Sequence, residues 1–148
     1  MTTGPVRALG VDLGSKRIGI AVSDRSGTIA SPLTVIQRSG SRPSDHRRIA
    51  ALAAEEEAEI VIVGVPLNMD GTRGPAAQAA IAEVRALATV VAVPVETVDE
   101  RRSTVTADAA LMARGMKAPG RRQIIDKVAA AVLLQHWLDG RGAQRWDR

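Results

Sequence analysis

From Val6 to Leu13 apolar side chains alternate loosely with small ones, and the run breaks at Gly14-Ser15-Lys16-Arg17, which predicts a strand followed by a tight turn. A second run, Ile18 to Ser23, ends at Asp24-Arg25-Ser26-Gly27, and a third, Thr28 to Ile36, follows with Pro32 inside it. Connections this short make an antiparallel meander, and Pro32, which cannot donate to a ladder, puts the third strand at an edge. From Gln37 to Ser44 the chain is rich in Ser, Gly, Arg and Pro and reads as a mobile basic loop. Asp45 then caps a helix to about Ala58, with Ile49, Leu52 and Ala53 on its apolar side.

The period changes at Ile60-Val61-Ile62-Val63-Gly64-Val65, an unbroken apolar run of the kind buried on both faces of a parallel sheet. A loop from Pro66 to Gly74 leads to a helix from Pro75 to about Ala88, and Val90 to Val98 reads as a second buried strand. Ser103 can cap a helix to about Arg114, and a last, mostly apolar helix runs from Arg122 to Leu138, with a frayed tail from Gly140 to Arg148. The predicted architecture is α/β: one domain over residues 1–148, a mixed sheet of three antiparallel and then two parallel strands, flanked by helices.

Composition narrows the chemistry. With no cysteine there is no disulfide, thiolate nucleophile or Cys-ligated zinc, and His46 and His136 are the only histidines. Twenty basic residues against sixteen acidic ones give a net charge of +4, and seventeen of the twenty are Arg, a balance that favours a polyanionic partner. Phe and Tyr are absent and Trp137 and Trp146 are the only aromatics, which disfavours base stacking on an aromatic platform. No apolar run approaches the ~20 residues of a membrane helix, and Met1 to Pro5 lack a basic n-region, so the expectation is a soluble, cytoplasmic protein with no membrane partner.

Three acids stand out against this background. Asp12 sits inside an apolar strand, where a carboxylate is costly unless compensated. It could cap the following turn, but Asp24 and Ser26 show how this chain makes ordinary turns, and Asp12 lies a step earlier, which favours function. The fifth strand ends Val98-Asp99-Glu100-Arg101-Arg102, a carboxylate pair at the carboxyl end of a parallel strand, where ligands collect in open α/β sheets. The alternative is an acid before a helix that pairs with neighbouring Arg. Asp126 heads the stripe Ala130, Leu133, Trp137 of the last helix and should point inward, although an acid favoured by the helix dipole competes with that reading. Three carboxylates sharing one site repel unless cations neutralise them, and oxygen ligands alone select hard ions such as Mg²⁺ or Mn²⁺. Two such ions, about 3.5 to 4 Å apart, can activate water and stabilise the leaving oxygen of a phosphodiester.

Four ordered segments carry a resemblance: Leu9 to Asp24 (LGVDLGSKRIGIAVSD), Val63 to Gly71 (VGVPLNMDG), Val98 to Thr104 (VDERRST) and Asp126 to Ala131 (DKVAAA). Together they resemble the YqgF/RuvX family, RNase H-like proteins described as Holliday junction resolvases and as nucleases maturing the 5′ end of pre-16S rRNA. The resemblance spans nearly the whole chain and implies an RNase H-like fold, with Asp12, Glu100 and Asp126 as metal-binding catalytic acids. One departure stands out. Resolvases of the RuvC type place an acid at the end of the fourth strand, where this chain has Val65-Pro66-Leu67; Glu100 takes its place, with Asp70 and Asp99 in reserve.

Lys16, Arg17, Arg73 and Arg101 lie in turns or loops near these acids, where cations can hold scissile or flanking phosphates. Arg38, Arg42, His46, Arg47 and Arg48 form a second basic cluster suited to sequence-independent backbone binding. The leading reading is a metal-dependent phosphodiesterase on structured nucleic acid, either 5′-end processing of pre-16S rRNA or resolution of four-way DNA, the latter calling for a homodimer. Asp12-Leu13-Gly14-Ser15 also resembles the first phosphate loop of actin-like ATPases and sugar kinases, but that chemistry needs a second similar domain. A binding module without catalysis is the third reading, argued by the bare end of strand four.

Overall fold

The computed structural model describes residues 5–66, 70–99 and 118–146, and in the last helix the side chains of 126–141. The elements are β1 (Ala8–Leu13), β2 (Arg17–Ser23), β3 (Ala30–Gln37), α1 (Arg42–Glu55), β4 (Ile60–Val65), α2 (Pro75–Ala88), β5 (Val95–Asp99) and α3 (Ala118–Trp146). The sheet runs β3-β2-β1-β4-β5. β1 pairs antiparallel with β2 and β2 with β3, whereas β1–β4 and β4–β5 are parallel. This is the mixed sheet that the pattern predicts, with Pro32 on the edge strand β3. The helix expected from Ser103 to Arg114 lies outside the described residues. Among those described, no helix is long and apolar enough to cross a membrane.

Strand alternation divides the core in two. Leu9 and Val11 of β1, Ile18 and Ile20 of β2, and Val61 and Val63 of β4 point to the side covered by α1 and α2, where Ile49, Val84 and Leu87 meet them. Ala8, Ala21, Ile60 and Ile62 point the other way, onto Ala130, Leu133, Leu134 and Leu138 of α3. All six residues of β4 are buried, as its unbroken apolar run requires. On the α3 side β1 and β2 present small residues, Ala8, Gly10 and Ala21, so the helix lies close: a Cβ on Gly10 would stand 2.8 Å from that of Leu134. Gln135 fastens α3 to the edge strand by accepting from the Ala30 amide at 2.9 Å and donating to the Thr28 carbonyl at 2.8 Å.

Several boundaries differ from the pattern. The fifth strand, expected from Val90, starts at Val95, because Val90 and Val91 donate instead to the Leu87 carbonyl at the end of α2. β5 is then an edge strand only partly covered, not one buried on both faces. α1 begins before Asp45: Gly40 turns the chain at φ +88°, and Ser41 is the cap, its side chain accepting from the Ser44 amide. Asp45, buried in the first turn, reaches back to the Ser39 amide at 3.1 Å. α3 continues through Gly140 to Trp146 rather than ending at Leu138, although a glycine inside a helix costs about 1 kcal/mol.

Candidate active site

Asp12 lies at the partly buried end of the central strand. It shares the alternation of Ala8 and Gly10, so its side is that of α3, not of α1 and α2. Its cross-strand partner is Gly19, and a Cβ built on Gly19 would stand 2.0 Å from the main-chain oxygen of Asp126. The missing side chain is therefore what seats the start of the apolar stripe of α3 directly on the strand beside Asp12. Asp126 is partly buried, with Ala130 and Leu133 fully buried below it, and its carboxylate pairs with Arg17, the first residue of β2, whose Nε donates to Oδ2 at 2.5 Å. Two of the three predicted acids thus occupy one face at one end of the sheet.

Substituting Gly19 by Ala should separate them. The clash is with backbone, which cannot rotate away, so α3 must shift. We expect a loss of about 2–3 kcal/mol in urea unfolding, in the upper range for overpacking, accompanied by loss of whatever activity needs Asp12 and Asp126 together. A variant with unchanged stability would show that α3 is not seated on Gly19.

Glu100 and its neighbours Arg101 and Arg102 lie outside the described residues. Among those described, no group of three Asp, Glu or His side chains closes around a common point. Asp99 ends β5 and alternates with Val95, which packs on the α1 and α2 side, so it does not share the face of Asp12. Asp70 has a local role: its Oδ1 accepts from the Thr72 amide at 2.9 Å and the Thr72 hydroxyl at 2.6 Å in the loop before α2. Asp24 is a turn residue as expected, its carboxyl lowered to about 2 chiefly by the Thr28 amide.

The cations divide into two kinds. Lys16, Arg47, Arg48 and Arg73 are exposed. Arg38 and His46, read from the sequence as part of a basic cluster suited to backbone binding, are instead engaged within the fold. Arg38 holds Glu83 of α2 through two bonds, Nη1 to Oε2 at 2.8 Å and Nη2 to Oε1 at 3.0 Å, while its Nε donates to the Gly14 carbonyl at 2.7 Å. The buried His46 ring stands 2.8 Å from the same Glu83 Oε2. The physical reason is mutual need: a buried carboxylate must be paired, and a guanidinium has donors for two acceptors at once. Burial pushes the Glu83 carboxyl up, but hydrogen bonds from Arg38 and His46 and the charges of Arg38 and Arg42 outweigh it and hold the group below its ordinary value. The Glu83 hydrogen bond raises Arg38 in turn, against burial.

The periodicity reading did not single out Glu83. A signal was available: it stands four residues before the buried Leu87, as Asp126 stands four before Ala130. Trp137, the described aromatic, packs against the α3 side of the core and is covered by Arg141, whose guanidinium carbon lies 4.9 Å from the ring centre.

Comparison with known proteins bears directly on this geometry. The family model of RuvX, described as a Holliday junction resolvase, matches residues 6–140. The chain belongs to the RuvX family. Among its relatives, a Mycobacterium sp. (strain KMS) protein is 45% identical over 141 residues, spanning 95% of this chain and 83% of that protein. One from Myxococcus xanthus is 44% identical over 134 residues, covering 90% and 88%. One from Anaeromyxobacter dehalogenans is 46% identical over 136 residues, covering 92% and 98%. All three carry the name "Putative pre-16S rRNA nuclease". Among solved structures, Thermus thermophilus RuvC in complex with a Holliday junction substrate is similar at a TM-score of 0.58 and 21% identity, over 93% of this chain and 96% of that one. That likeness places the RuvX sheet described above in the RNase H-like fold.

Proposed function

We propose that this RuvX-family protein is a metal-dependent nuclease that hydrolyses phosphodiester bonds of structured nucleic acid, and that it acts at the 5′ end of pre-16S rRNA. The observation that carries the reading is the placement of Asp12 and Asp126 on one face of the sheet, brought together across Gly19. The substrate follows the names of relatives that match nearly the whole chain. The family description favours a second reading, resolution of four-way DNA.

The donor set fits a hard divalent cation in its chemistry: Asp12 and Asp126 offer only carboxylate oxygens, and Arg17 pairs with one of them, Oδ2 of Asp126. Glu100 is the third acid we assign to this set, whereas Asp99 faces the other side of the sheet and Asp70 bonds Thr72 in its loop. Bound there, Mg²⁺ or Mn²⁺, in our reading two ions, would supply Lewis acidity and an activated water. The chain's own residues do the rest. Arg17 fixes the Asp126 carboxylate at the start of β2, and Lys16, Arg73, Arg47, Arg48 and Arg101 hold flanking phosphates as point charges or forks. With the described tryptophan covered by Arg141, recognition falls to the backbone and its shape.

The test is a direct comparison of a precursor rRNA fragment carrying the uncut 5′ extension with a four-way DNA junction, both end-labelled, at equal enzyme and Mg²⁺. The expected result is cleavage of the RNA at a single position and slower or absent cleavage of the junction. Preferred cleavage of the junction would transfer the assignment to the second reading, and cleavage of neither would overturn both.

A further inference from the structure

On the α1 side of the turn between β1 and β2 there is a cavity of about 540 Å³, lined by Ser15, Lys16, Arg38, Gly40, Arg42 and Asp45. Its floor is fixed. Arg38 is clamped by Glu83, and its own backbone amide donates to the Lys16 carbonyl at 3.0 Å, so the turn that carries Lys16 is tied through Arg38 to the buried Glu83 and His46. Asp45, the acid of the lining, is turned onto the Ser39 amide. The rim differs. Lys16 and Arg42 are exposed, and neither makes an ion pair among the described residues. Gly40, with φ +88°, leaves open space where a side chain would stand.

We infer that this cavity is a phosphodiester subsite, which takes the backbone phosphate of a nucleotide flanking the bond to be cut, with Lys16 and Arg42 as its cations. The inference rests on the nuclease reading and adds to it a separate site on the opposite side of the turn from Asp126, together with Arg42 as a binding residue. Two cations that make no ion pair among the described residues, lining a concave space over a fixed floor, recruit an anion. The volume, within the roughly 300–1,000 Å³ range of ligand pockets, admits a nucleotide. No lining residue is aromatic or large and apolar, so nothing in the walls would hold a free base; affinity must come from a chain that continues past the cavity. Because Lys16 lies four residues beyond Asp12, a strand crossing this turn meets the acids on the α3 side and the cavity on the α1 side. Arg38, with the buried Glu83 and His46, then acts as positioning machinery, setting the height of the turn between the two.

The experiment measures fluorescence anisotropy of a labelled precursor rRNA hairpin against salt concentration, in Ca²⁺, for the intact protein, Lys16→Ala/Arg42→Ala and the charge-matched control Arg25→Ala/Arg85→Ala. All four substituted side chains are exposed, and thermal melts confirm that both variants are folded. Each duplex phosphate that the protein no longer neutralises should reduce the slope of log affinity against log salt by about 0.9. With that one phosphate released, the cavity variant's slope should fall by about 0.9, whereas the control stays near the intact protein. Uridine monophosphate and inorganic phosphate, added at millimolar concentration, should compete only weakly. An unchanged slope in the cavity variant, or an equal drop in the control, overturns the subsite and leaves the nuclease reading standing. Tight competition by the mononucleotide overturns it in favour of a free-nucleotide site. An intact protein that neither binds nor cleaves the RNA overturns the nuclease reading, and the subsite with it.

Discussion

Asp12→Asn is expected to lower hydrolysis by on the order of 10³-fold or more while the protein remains folded. The amide preserves the shape of the side chain at the end of β1 but removes the charge that recruits a cation to the α3 face. A loss of that size corresponds to about 4 kcal/mol at 1.36 kcal/mol per tenfold, in keeping with the several kcal/mol that metal-ion catalysis supplies. Glu100→Gln and Asp126→Asn should show comparable losses. Asp99→Asn should be much milder, since Asp99 alternates with Val95 on the opposite side of the sheet. Single-turnover cleavage at limiting Mg²⁺, paired with circular dichroism, reads both halves of this expectation. An inactive Asp99→Asn beside an active Glu100→Gln would mean that the register at the end of β5 is misassigned.

The second large effect is on stability. Glu83→Gln leaves the partly exposed guanidinium of Arg38 without the Glu83 carboxylate, and Arg38→Met leaves Glu83 as a buried carboxylate with His46 as its remaining hydrogen-bond partner. Each should cost about 3 kcal/mol in denaturant unfolding, at the lower end for breaking a buried pair because Arg38 is partly exposed. The double variant Arg38→Met/Glu83→Leu should lose much less than the sum of the two singles, because no charge is then left unpaired. The pH dependence has a definite sign. Glu83 is held below its ordinary value in the folded protein, so near that value the unfolded chain binds more protons and stability rises with pH. Its contribution is present above the ordinary glutamate pKa and is lost as pH falls through the depressed one. The stability gap between the intact protein and Glu83→Gln should accordingly narrow on acidification. A gap that widened would mean that burial, not Arg38, dominates the carboxyl.

How much of this was legible in the chain depended on whether the signal was local. β4 could be read from six consecutive apolar residues because a strand buried on both faces needs no partner to be recognised, and the Pro32 edge followed from one missing donor. The start of β5 could not be read so, because Val90 and Val91 are as apolar as a strand but are taken by the last turn of α2, an interaction that no period encodes. Asp12 and Asp126 were recognisable as acids set into apolar patterns. That they share a face depends on Gly19, whose importance appears only when β2 and α3 are brought together. The basic stretch from Arg38 to Arg48 looks uniform in the sequence for the same reason: composition counts charges, whereas the fold pairs Arg38 and His46 with a glutamate more than thirty residues away and leaves Arg42, Arg47 and Arg48 outside.

The central claim, that Asp12 and Asp126 form one cation site, is tested most directly by Mn²⁺ binding measured by electron paramagnetic resonance without any nucleic acid. The intact protein should bind Mn²⁺ saturably, and Asp12→Asn and Asp126→Asn, each folded by circular dichroism, should each weaken that binding at least tenfold. Equal Mn²⁺ binding by all three proteins would contradict the account.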